Sequence, residues 1–169
     1  RYLAGFAEDV TLAHANEALE SAHRVAQERL ERIVATAPGA VHSYCLDTGG
    51  RGRFTFASPA IRDLLGVDAA TLVERGIDLL DLVHPQDRAA VAESLRASAD
   101  LGSAWLATFR VPHTAGGERC LEAHSMPVRD ADGSVTWHGF LIDITQRRRA
   151  EQEIRSLNVE LEHRVADRT

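Results

Sequence analysis

Ser58-Pro59-Ala60-Ile61-Arg62-Asp63-Leu64-Leu65-Gly66 carries both ends of a short helix. Ser58 is a preferred N-cap, Pro59 suits the first helical position, where its missing N–H costs nothing, and Gly66 favours the left-handed turn that closes a helix. Upstream, Val41 to Leu46 and Arg53 to Ala57 read as two strands joined by the turn Asp47-Thr48-Gly49-Gly50-Arg51-Gly52. Downstream, Asp68 and Gly76 bracket a second short helix. His84-Pro85-Gln86-Asp87 opens a third, with Pro85 in its first turn, Asp87 at the positive end of its dipole, and Val91 and Leu95 as the buried stripe through Ser98.

Three further strands follow: Ala104 to Pro112, Glu118 to Val128 and Ser134 to Ile142. The turns between them are signalled by Ala115-Gly116-Gly117 and Asp130-Ala131-Asp132-Gly133. Two strands, a block of short helices and a three-strand meander predict an α+β domain. Its five-stranded antiparallel sheet is covered on one face by the helices, because each strand must bury its apolar side. The domain is expected over residues 38–145, with an N-terminal helix over 1–37 and a C-terminal helix over 146–169.

The flanking helices carry seven-residue patterns. Leu12, Leu19, Ala26 and Ile33 recur every seven residues, but their companion positions Asn16, His23 and Leu30 are mostly polar. This helix therefore either joins a coiled coil or lies against its own domain. In the C-terminal helix Ala150, Ile154, Leu157 and Leu161 form a seam, with a stutter before Val165. So narrow an apolar stripe needs a partner helix, and a parallel homodimer follows, with Leu12, Leu19, Ile33, Ile154, Leu157, Leu161 and Val165 as its interface.

Hydrophobic residues make up 44% of the 169 residues and charged residues 26%, the balance of a folded soluble domain. The net charge of −6 supplies no basic face for nucleic acid, and no apolar run spans a bilayer. The start, Arg1-Tyr2-Leu3, has neither an initiator Met nor a signal-peptide pattern, so a cytoplasmic fragment of a longer protein is expected. All 19 basic residues are Arg, which excludes Schiff-base and P-loop lysine chemistry. Cys45 and Cys120 lie alone in strands, far from metal-ligand spacing, and read as small buried apolar residues in a reducing compartment.

In their order and spacing, several segments resemble the PAS fold of sensory proteins, in the subgroup whose C-terminal PAC-type motif leads into a linker helix. They are Ser58 to Gly66, His84-Pro85-Gln86-Asp87-Arg88, Phe109-Arg110-Val111, Gly117-Glu118-Arg119, Pro127-Val128-Arg129-Asp130 with Asp132-Gly133, and Trp137-His138-Gly139-Phe140 running into Asp143-Ile144-Thr145. Cys120 stands where this subgroup often has Trp. The tail from Leu157 to Thr169 resembles linkers that precede the dimerisation helices of bacterial sensor histidine kinases. The resemblance implies a bacterial two-component sensor with its output domain, a kinase, in cis. Diguanylate cyclases and phosphatases are the alternative parents.

Within this family some members hold haem through a histidine on the third helix, and light sensors carry Gly-x-Asn-Cys on a helix after the second strand. Arg88 to Ser98 has no His, and Ile61 to Val83 has neither Cys nor Asn, so haem held in that way and a covalent flavin adduct are both disfavoured. His163 is followed by Arg164 rather than the acidic residue of a phosphoacceptor box, and His84 suits a cap. His124 and His138 are expected to face each other across the last hairpin, too few ligands for zinc. No catalytic constellation is readable, no cofactor is expected, and the chain reads as no enzyme by itself.

The space between sheet and helices is expected to be lined by Tyr44, Phe56, Leu64, Leu79, Val91, Leu95, Trp105, Phe109, Leu121, Phe140 and Ile142, with Arg110 or His124 as polar contact for an anionic ligand. Those side chains either fill it at interior density or leave room for a small molecule. Asp143, Ile144, Thr145 and Gln146 lie where the last strand becomes the exit helix. Asp143 or Thr145 can cap that helix, with Gln146 placed to reciprocate.

Overall fold

The computed structural model describes residues 2–112 and 116–166, with side chains described for 14–30, 32–34, 36–112 and 116–162. The chain divides into two units, residues 1–37 and 38–169. The first is the helix α1 (Tyr2–Thr36), which exposes Leu19, Leu30 and Ile33. Of the seam positions, Leu12 and Val165 lie outside the residues whose side chains are described, as does His163.

The second unit runs β1 (Ala40–Leu46), β2 (Gly52–Ala57), α2 (Ile61–Leu65), α3 (Ala69–Glu74), α4 (Leu79–Leu82), α5 (Arg88–Leu101), β3 (Trp105–Pro112), β4 (Glu118–Arg129), β5 (Val135–Asp143) and α6 (Thr145–Ala166). The five strands form one antiparallel sheet in the order β2-β1-β5-β4-β3. The last strand thus lies at the centre of the sheet, paired with β1 of the first hairpin on one side and with β4 of the meander on the other. The fold is the α+β architecture that the alternation of periods predicts.

Local chemistry explains most helix boundaries. Asp68 accepts from the Thr71 N–H at 2.9 Å and starts α3, and Asp78 accepts from the Leu80 N–H at 3.0 Å and starts α4. Gly66 ends α2 with φ 74, a conformation open to glycine without strain. Two expectations are corrected. Ser58 does not cap α2: its Oγ accepts from the Val41 N–H at 3.0 Å and ties the loop back to β1. The third helix begins at Arg88 rather than His84, because His84-Pro85-Gln86-Asp87 forms a turn in which the Asp87 N–H reaches the His84 carbonyl.

The core is one cluster on the helix-covered face. Ile61, Leu72, Leu79 and Val83 from the short helices and Val91 and Leu95 from α5 meet Tyr44, Phe54, Phe109, Leu121, Trp137 and Leu141 from the sheet. Burying each large side chain contributes about 1.5 to 3 kcal/mol against its solvated state. Two tryptophans dock α5: Trp105 donates its indole N–H to Ser94 and Trp137 donates to Ser98, each at 2.9 Å.

Candidate functional site

The interior brings together eight of the predicted lining residues: Tyr44, Leu64, Leu79, Val91, Leu95, Trp105, Phe109 and Leu121 are all buried. The Tyr44 ring lies edge-on to Phe54 at 5.3 Å and 6.2 Å from Trp137, and Trp105 stacks on Phe109 at 6.1 Å. Tyr44 donates its hydroxyl to Asp78 at 2.6 Å. Burial, reinforced by that carboxylate, pushes the phenol far above its ordinary range, so Tyr44 acts only as a neutral donor.

Four predicted residues are elsewhere. Phe56 is 44% exposed, and His124, Phe140 and Ile142 lie on the outer face, in register with one another or with its other residues. On β5 the inward residues are Val135, Trp137 and Leu141, so Phe140 and Ile142, one step out of phase, point away. On β2 the register slips opposite Ser43 and Tyr44: Phe54 pairs with Tyr44 and Phe56 with Ser43, and this bulge turns Phe56 outward. Arg110 also leaves the interior. Its guanidinium grips Asp87 through two hydrogen bonds, at 2.7 and 3.0 Å, and holds that carboxyl down at about 2.

His124 and His138 do not face each other. His124 pairs with Phe140 and stacks on its ring at 5.3 Å, while His138 pairs with Met126 and bonds Ser43 Oγ at 2.8 Å. No cluster of metal-ligating side chains forms among the described residues. Cys45 and Cys120 are free thiols on strands separated by β5.

A buried imidazole escaped the sequence reading. His42 is 1% exposed, lies 5.9 Å edge-on to Phe54, and its Nε2 sits 3.3 Å from Ser125 Oγ on β4. That contact crosses over β5 at Gly139, where a Cβ would fall 2.5 Å from Ser125 Oγ, so only glycine leaves the gap. Burial drops the imidazole to about 4; the Ala40 carbonyl opposes the shift and His138 adds to it, while Nδ1 finds no hydrogen-bond partner among the described residues. The alternation Ala40, His42, Tyr44 was the signal that could have placed it inward.

The junction between sheet and exit helix is held by backbone and side chain together. Ile144 is buried, and its N–H donates to the Cys120 carbonyl at 2.9 Å. The Cys120 N–H donates to Thr145 Oγ1 at 2.9 Å. Asp143 accepts from the Thr145 N–H at 2.8 Å and from its hydroxyl, and pairs with Arg119 at 3.0 Å. These bonds and the Arg119 charge outweigh desolvation and hold the Asp143 carboxyl below its usual range. Gln146 is exposed. Beside the junction Glu122 takes His124 at 3.0 Å with one oxygen and Arg147, in the first turns of α6, at 2.9 Å with the other. Asp78, a local cap, was passed over; Ser98, Glu122 and Arg147 were not singled out by sequence because their partners Trp137, His124 and Glu122 lie on other elements or are set by strand phase.

The family model for the PAS fold matches residues 54–141, just over half of the chain. No curated protein matches the sequence. Among solved structures, a sensory box histidine kinase/response regulator from Burkholderia thailandensis aligns with a TM-score of 0.53 and 20% identity, over 73% of this chain and 91% of that one. The N-terminal domain of a diguanylate cyclase with PAS/PAC sensor from Marinobacter aquaeolei gives 0.51 and 24%, over 64% and 98%. A domain of a putative light and redox sensing histidine kinase from Haloarcula marismortui gives 0.52 and 24%, over 69% and 99%. A sheet in the order β2-β1-β5-β4-β3, helices on one face and a helix leaving the last strand define the PAS fold. The chain belongs to the PAS fold family. Among the described residues no helix is long and apolar enough to cross a membrane.

Proposed function

We propose that this chain is a cytoplasmic sensory and dimerisation module that passes a conformational signal from its sheet through Asp143-Ile144-Thr145 into α6. From there it reaches an output domain in cis, a histidine kinase of a two-component system. The observation that carries this reading is the pair of hydrogen bonds that tie the Ile144 N–H and the Thr145 hydroxyl to the Cys120 backbone, because a shift of β4 moves the start of α6 with it. The likeness in fold to domains of two histidine kinases supports the output assigned. A diguanylate cyclase is the alternative parent, on the likeness to such a protein's sensor domain.

The homodimer is proposed on the seam side chains. Ile154, Leu157 and Leu161 on α6 and Leu19 and Ile33 on α1 are more than half exposed in the single chain. In a parallel pair the position of the cap fixes the rotation at which the α6 seams meet, and the stutter before Val165 offers two nearly equal registers for strain to choose between.

A ligand-free relay is the second reading, favoured by the filling of the interior with Phe54, Phe109, Leu121 and Trp137, each nearly inaccessible. Neither reading uses haem or flavin. An absorption spectrum and native mass spectrometry of the purified chain separate them: a bound small molecule supports sensing, and a bare dimer supports relay. A visible band near-stoichiometric with protein removes the cofactor-free assignment. The decisive test joins the chain to its output domain and compares basal and stimulated activity in wild type, Asp143→Ala and Thr145→Ala. Unchanged stimulation in both folded variants would show that the signal takes another route.

A further inference from the structure

A groove of about 290 Å3 runs outside the packed core, between the first turns of α6 and the β3–β4 hairpin. From α6 it receives Thr145, Arg148, Arg149 and Gln152, which sit at i, i+3, i+4 and i+7 and so share one helix face. A helix face turned toward a sheet ordinarily carries apolar residues at such positions; here they are cationic and polar. Across the groove stand Arg110 from β3 and Arg119 from β4, together with Cys120, which pairs with Arg110.

These four guanidiniums are not equally balanced. Arg110 is matched by Asp87 and Arg119 by Asp143, and each partner holds its arginine in a fixed orientation. The remaining rim carboxylate, Glu118, is shared by His84 at 3.1 Å and Arg110 at 3.9 Å. Among the described residues, Arg148 and Arg149 have no carboxylate within salt-bridge distance, unlike Arg147 beside them, which takes Glu122. Burial raises the Cys120 thiol, so its sulfur remains neutral and does not supply the missing counter-charge.

We propose that this groove binds a small oxyanion, a carboxylate or phosphate group, whose charge is met by Arg148 and Arg149 from the exit helix and by Arg119 from the sheet, which Asp143 orients through one nitrogen only; Arg110 has its Nε and Nη2 donors taken by Asp87 and Gln86. Planar guanidiniums present paired N–H donors that match the oxygens of either group, and Arg119 is already ordered by Asp143, which lowers the entropy lost on binding. The Thr145 hydroxyl is committed to Cys120 and Asp143, so the arginines carry recognition. The inference concerns binding at this groove and does not depend on whether α6 transmits a signal.

Isothermal titration calorimetry of the whole chain tests it, with inorganic phosphate and with succinate as separate probes at ionic strength matched by sodium chloride. Saturable binding of at least one probe is expected, and which one binds identifies the group. Arg148→Gln with Arg149→Gln should weaken it roughly tenfold or more, since each lost charge-assisted bond is worth at least a factor of that order. Arg96→Gln, on the exposed side of α5, should bind as wild type. Arg148 and Arg149 are both exposed, so the double variant should keep the wild-type circular dichroism spectrum. Absence of saturable heat with both probes, or equal affinity in the folded double variant, overturns the assignment.

Discussion

Thr145 Oγ1 lies 2.9 Å from the backbone nitrogen of Cys120, a residue 25 positions earlier, and accepts its hydrogen bond. A side chain at the start of α6 thereby completes the pairing of β4 where β5 has run out. Thr145→Ala leaves that N–H without its acceptor, and Asp143→Ala removes the carboxylate that orients Thr145. Each should cost about 0.5 to 2 kcal/mol. Amide exchange at Cys120 should quicken selectively in Thr145→Ala. Equal protection of that amide in variant and wild type would show that the bond contributes nothing.

Ser98 should be among the most sensitive small residues of α5. Its hydroxyl accepts from Trp137 and donates to the Ser103 carbonyl at 2.7 Å, closing the end of the helix. Ser98→Ala strands a buried indole N–H and should destabilise the domain by about 1 to 3 kcal/mol in urea unfolding followed by circular dichroism. A midpoint that does not move would mean that the indole finds another partner.

Acid should loosen the core through His42. Its imidazole titrates at about 4 in the folded chain against 6.5 when free, so the folded state refuses a proton that the unfolded state accepts. Stability from this residue is therefore complete above pH 6.5 and is lost as pH falls toward 4. Between pH 7.5 and 5 the loss should be about 2 kcal/mol. His42→Gln should flatten that slope. Asp87, held at about 2 by Arg110, loses its contribution only below its ordinary 3.8, so the two windows separate. If urea midpoints of wild type and His42→Gln fall in parallel from pH 7.5 to 5, His42 is not the source.

The α6 seam predicts the oligomeric state. Leu157 is 52% exposed in the single chain, and burying it in a helix pair is worth about 1.5 to 3 kcal/mol per side chain. Leu157→Glu should convert the dimer to monomer in size-exclusion chromatography with light scattering, without loss of helical signal. A variant that elutes as an unchanged dimer would move the interface to another surface.

Most of the element order was legible because capping and turn residues act locally: Asp68 starts α3 and Gly66 ends α2 without reference to the rest of the chain, while the one-turn α4, capped by Asp78, was not read. Side-chain direction was less legible wherever both phases of a strand are apolar. From Gly139 to Ile142 every choice of face is plausible from composition, and only the register against β1 and β4 sends Leu141 inward and Phe140 outward. The bulge beside Phe56 is set by pairing between two strands and leaves no mark in either alone. The junction residues were visible as a capping sequence. Their partner Cys120, whose N–H donates to Thr145 Oγ1, was not, because the bond joins residues 25 positions apart that only the β4–β5 pairing brings together.

The two tryptophans have a practical consequence. Trp105 and Trp137 both sit against α5, and α1 and α6 contain none. Tryptophan fluorescence of this chain therefore reports the seating of one helix on the sheet and does not follow rotation or unzipping of the terminal helices directly. Following those motions requires a dye or spin label placed on an exposed α6 position such as Gln152.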